Sequence, residues 1–151
     1  FDLGDKILKV FCNGKYLYLP RYIIPSMCSA AIDVIKYFFS NPDLKSVNMW
    51  RYAGSLFCQG KTALLEYLDF GSEFPKKHLE EDSYYILSTM VMPSEHDEEL
   101  ASKLVKTGLV PDKVLMEILP KAKEAEMPVL QAYILNQLNH GVSEEKNPYS
   151  L

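Results

Sequence analysis

The feature that most limits how this chain can fold is an apolar pattern at helical spacing that comes back at nearly constant intervals. In "NMWRYAGSLF", Trp50, Ala53, Gly54 and Phe57 fall three and four residues apart, on one face of a helix. "TALLEYLDFG" follows with Leu64, Leu65 and Leu68 on one side, and the two segments read as a helical hairpin turned at "CQGK". Aligned second helices, "DVIKYFF", "ALLEYLD", "ELASKLV" and "VLQAYIL", put Ile35, Leu65, Leu100 and Leu130 at equivalent places, roughly every 30 to 35 residues. First helices follow suit in "RYIIPSM", "WRYAGSL", "YYILSTM" and "VLMEILP". One hairpin cannot bury its apolar face alone, whereas stacked neighbours can. The expected fold is all-α, a right-handed α-solenoid of about four helix–turn–helix units over 19–42, 46–75, 80–110 and 111–141. Residues 1–18 read as a partial or capping unit and 142–151 as a flexible tail.

Local signals place the boundaries. In the first unit, 21–29 and 31–39 read as two helices. Ser94 and Asp97 have capping-box spacing after the helix-blocking Pro93, and the acidic run Glu95, Asp97, Glu98, Glu99 then suits a helix N-terminus. Gly71, Gly108 and Gly141 read as helix stops, and Pro111 or Asp112 as a start. "DKILKVF" reads as one more amphipathic helix. The competing signal is Asn13–Gly14 between "ILKVFC" and "KYLYL", which suits a β-hairpin.

Composition and motifs remove whole classes of chemistry. A chain of 151 residues that is 48% hydrophobic can build a real core. A formal charge of −4 counts against binding nucleic acid through phosphate neutralisation. Cys12, Cys28 and Cys58 lack disulfide or zinc spacing and read as reduced, mostly buried thiols. The "GKT" of "LFCQGKTALLEYL" ends as a phosphate loop does, but Ser55 stands where the first glycine must be, and a helix pattern precedes it. Lys61 and Thr62 read instead as the start of a second helix. His78, His96 and His140 show no metal-pair spacing and read as surface residues. No apolar run approaches a membrane span, and no signal peptide is visible. The expectation is an intracellular protein, cytoplasmic ahead of nuclear, and a piece of a longer chain, since it opens with Phe1.

Two stretches carry a family resemblance. "WRYAGSLFCQGKTALLEY" resembles a tetratricopeptide repeat, with Trp50, Ala53, Gly54 and Phe57 on that motif's spacing and a turn one residue short. "TGLVPD" in "ASKLVKTGLVPDKVLMEIL" is similar to the inter-repeat loop of pentatricopeptide repeats. Ankyrin repeats, whose period also fits, rank third because no "TPLH"-like segment occurs. The resemblance implies a non-catalytic protein-interaction or self-association scaffold, with a protein partner or homodimer. Single-stranded RNA binding in the pentatricopeptide manner is the alternative. Neither needs a cofactor, metal or small-molecule substrate. Arg21, Arg51, Tyr84 and Tyr85 are the candidate partner contacts: first helices would line a groove, and neighbouring tyrosines on a helix point about 100° apart, so one of Tyr84 and Tyr85 faces outward. As an inter-helix core residue, Trp50 would lose roughly 3–5 kcal/mol on replacement by alanine.

Overall fold

The structure is a computed structural model that describes residues 7–20 and 22–146, the side chains of 94 and 140–146 excepted. It is mostly helical, with one two-stranded sheet, and divides after Glu81 into two compact units.

The first unit opens with a β-hairpin. Strands β1 (Ile7–Cys12) and β2 (Lys15–Pro20) are antiparallel, with Lys9 opposite Tyr18 and Phe11 opposite Tyr16. Asn13 and Gly14 have φ of 51° and 77°, the two positive values that a tight type I′ turn demands. The helix expected from "DKILKVF" is therefore a strand over the described residues 7–12. The reason lies in what the hairpin touches. Val10, Leu17 and Leu19 pack on α1 (Cys28–Ser40), against Ala31, Val34 and Phe38. Ile7, Tyr16 and Tyr18 pack on the opposite side, with Ala53 and with Cys58, Leu65 and Phe70 of α2 (Leu56–Phe70). On β2 the neighbours Leu17 and Tyr18 are buried on opposite faces, whereas β1 buries Ile7 and leaves Lys9, Phe11 and Cys12 exposed; neither keeps the apolar–polar alternation that identifies strands in sequence.

Helix α1 is a single helix entered through a 3₁₀ turn at Pro25–Met27, where two helices were expected. Lys15 closes its far end: Nζ donates to Phe38 O at 2.7 Å and Asn41 O at 2.8 Å, a cation on the carbonyls of a helix C-terminus. The expected hairpin at "CQGK" is also corrected. Helix α2 starts at Leu56, where Ser55 Oγ accepts the Cys58 N–H at 3.2 Å, and runs unbroken through Gly60, Lys61 and Thr62 to Gly71. Thr62 Oγ donates to Cys58 O at 2.7 Å from mid-helix, so it does not begin a helix. Phe57, Cys58, Thr62, Leu64 and Glu66 are all buried, and a helix buried on most sides tolerates glycine through packing. Upstream, Met49–Tyr52 is a 3₁₀ turn, Ala53 is extended and bridges Ile23, and Gly54 N–H donates to Tyr22 O at 2.8 Å. Trp50, Ala53, Gly54 and Phe57 therefore share no helix face. Gly71 ends α2 in the left-handed conformation, φ 66°, as expected, and α3 (Glu73–Glu81) packs back on α2.

The second unit is four helices: α4 (Ser83–Met90), α5 (Glu98–Lys106), α6 (Asp112–Glu124) and α7 (Pro128–Lys146). They form two helical hairpins, α4–α5 and α6–α7. First helix α4 packs against first helix α6, and second helix α5 against second helix α7. Leu87, Met90, Leu104, Leu115, Ile118 and Ile134 are among the fully or nearly fully buried side chains. The cap of α5 is Asp97, which accepts the Leu100 N–H at 3.1 Å, in place of the expected Ser94. Gly108, φ 79°, ends α5 as expected. Helix α6 carries Pro120 inside it and closes at Glu126, which holds φ 56° where glycine is usual. Gly141 does not stop α7, which continues to Lys146 through residues expected to form a flexible tail; 147–151 lie outside the described residues. Of the thiols, only Cys58 is buried, and Cys12 and Cys28 are exposed, contrary to the expectation of mostly buried cysteines.

Candidate functional site

Of the four candidate contact residues, Arg21 lies outside the described residues. Arg51 is exposed in the 3₁₀ turn of the first unit, with Nε donating to Asn48 O at 3.4 Å and the guanidinium 5.4 Å above the Tyr52 ring. Tyr84 and Tyr85 sit in the first turn of α4 and meet edge to face, centroids 5.3 Å apart. Their exposures differ as helix geometry requires. Tyr85 is 60% exposed, whereas Tyr84 is half-buried and lines a groove.

That groove runs beside the first helices α4 and α6 and has a volume of about 480 Å³. Tyr84, Ser88 and Met92 line one side at successive turns, and Lys121, Glu124 and Ala125 the other. Ser88 Oγ is buried and has no hydrogen-bond partner among the described residues. Met92 is 47% exposed at the rim. An apolar, polarisable wall with one donor–acceptor hydroxyl and one charge of each sign suits a peptide segment better than a polyanion.

The first unit holds two polar clusters that sequence reasoning missed. The Tyr16 hydroxyl donates to Asp69 Oδ2 at 2.7 Å, and the Tyr18 hydroxyl donates to the same oxygen. The bond to Asp69 raises the Tyr16 hydroxyl's pKa, with burial adding to it; for Tyr18, burial comes first and Asp69 second. Lys9 Nζ stands 4.3 Å over the Tyr16 ring, which also packs on Phe11 and Phe70. The second cluster surrounds Glu66. Its Oε2 accepts the Met49 N–H at 2.8 Å, while Oε1 has no partner among the described residues. Burial pushes this carboxyl up to about 8, against the opposing pull of the Met49 and Trp50 N–H groups and Arg51. Trp50 stacks on His78 with ring centroids 4.3 Å apart, so His78 is a packed residue and not the surface residue expected. The one sequence signal for Glu66 is that a carboxylate follows Cys58 and Thr62 on the stripe four residues apart that α2 buries.

Among the described residues no group of His, Cys, Asp and Glu is placed to hold a metal ion, and no helix is long and apolar enough to cross a membrane. The chain matches no family model, no curated protein and no solved structure.

Proposed function

We propose that the second unit is a pair of solenoid-type helical hairpins of the tetratricopeptide kind, and that the chain acts without catalysis, binding a protein segment or a second copy of itself. The carrying observation is the groove beside α4 and α6, lined by Tyr84 and Met92 around the buried Ser88 hydroxyl. The pairing of first helix with first helix and second with second supports the repeat reading, because stacked hairpins make those contacts. The α-solenoid reading is confined to this unit. The first unit's hairpin and its uninterrupted α2 follow another plan.

The rival, single-stranded RNA, needs stacking surfaces beside a basic track. The groove carries one charge of each sign, Lys121 and Glu124, so it offers no such track. Titration with mixed-sequence single-stranded RNA at low and moderate salt separates the two readings. The protein-binding reading expects no association at micromolar concentration. Micromolar binding that weakens steeply with salt overturns it.

A further inference from the structure

The second unit has another groove, on the opposite pair of helices. Its volume is about 320 Å³, and it is lined by Glu98, Glu99, Ser102, Lys103 and Lys106 of α5 and by Val129 and Tyr133 of α7. Across Val129 and Tyr133 it adjoins a shallower depression of about 590 Å³ formed by Pro128, Ala132 and Asn136. Glu98, Ser102 and Lys106 recur at whole turns and make one stripe, with Glu99 and Lys103 on the row beside it.

The charges along this stripe have unequal fates. Glu98 Oε2 accepts the Val129 N–H at 2.7 Å and the Leu130 N–H at 3.1 Å, so this carboxylate is spent on the α7 N-terminus. Glu99 pairs with Lys103 at 3.6 Å. Lys106 Nζ stands 5.8 Å over the Tyr133 ring, and among the described residues it has no carboxylate within ion-pair distance. One turn back, Ser102 is only 5% exposed, and its Oγ has no hydrogen-bond partner among the described residues. A buried hydroxyl without a partner is costly to keep unless something completes it. Here it lies on the floor of a groove whose remaining charge is a cation.

We infer that the α5–α7 groove is a docking site for an acidic peptide segment, one carboxylate of which is bound by Ser102 and Lys106 while a neighbouring apolar side chain rests on Val129 and Tyr133. The hydroxyl of Ser102 donates to the carboxylate, and Lys106 supplies charge. The Tyr133 ring, already polarised by the ammonium, forms the wall between the carboxylate and apolar subsites.

This inference rests on reading the unit as a binding module, but it concerns helices other than those of the Tyr84 groove, so either can fail alone. RNA binding would sink the proposed function; the outcome here is read from peptide shifts at residues 102–106 and 129–133. The test uses the whole chain, amide NMR, and a short capped peptide alternating leucine and glutamate. A matched peptide has lysine for glutamate. The glutamate peptide should shift the amides of 102–106 and 129–133 and should bind more tightly than the lysine peptide. Ser102→Ala should weaken it roughly tenfold, as expected for losing a hydrogen bond to a charged group. Lys106→Glu should weaken it by at least that factor and strengthen the lysine peptide. Shifts mapping elsewhere, no shift at millimolar peptide, or equal affinity of both peptides for Lys106→Glu would each overturn the assignment.

Discussion

Glu66 shows how far a single residue can set the chain's response to its surroundings. Its carboxyl sits at about 8 when folded against 4.5 for the free group, chiefly because burial disfavours the charged form. Between those values the folded chain holds a proton that the unfolded chain has released. The contribution to stability is therefore largest at and below about pH 4.5 and is lost as pH rises to about 8. Glu66→Gln keeps an acceptor for the Met49 N–H and removes the titration. Its thermal midpoint should change less between pH 5 and 8, about the limits just given, than that of the parent chain. Parallel midpoint curves would contradict the assignment. Trp50 is a second case at this scale. It is half-buried and stacked on His78 from a 3₁₀ turn, not seated between helices, so Trp50→Ala should cost about 2–3 kcal/mol by chemical denaturation, less than a full core tryptophan would.

Single elements were unevenly legible. Helices α4 to α7 follow from their apolar spacing because each buries one stripe and leaves the other face wet. The turns at Gly71 and Gly108 were readable because only a left-handed residue closes those helices. Two misreadings come from burial on more than one side: β2 buries Leu17 and Tyr18 on opposite faces, and α2 is so enclosed that Gly60 and Lys61 read as a turn. Their neighbourhood is tertiary, and no window of sequence contains it. For the same reason Asp69 and Glu66 went unread, since their partners Tyr16 and Met49 are distant in the chain. The close of α6 offers a prediction of its own. Glu126 occupies the glycine-favouring position, with Met127 N–H bonded to Ala122 O at 3.0 Å. Glu126→Gly should raise stability by about 0.5–1 kcal/mol, since relief of left-handed strain exceeds the added freedom of the unfolded chain. A lower denaturation midpoint would count against that geometry.

At the scale of the whole molecule, a layered hairpin-and-helix unit and a unit of two stacked hairpins share one chain. In the second unit the expected intervals 80–110 and 111–141 contain the helix pair α4–α5 and most of the pair α6–α7. In the first unit, the same interval relates α1 to α2 without a repeating pair. The candidate contacts divide likewise, Arg51 in one unit and Tyr84 with Tyr85 in the other. The central claim, that the groove at Tyr84 receives protein, is tested most directly by placing a photo-crosslinking residue at position 84 and, as a control, at the exposed Lys113. Irradiation in cells should give a discrete adduct from position 84 alone, destroyed by protease and untouched by nuclease; its mass reveals a partner or a second copy. An adduct removed by nuclease, or identical adducts from both positions, would contradict the account.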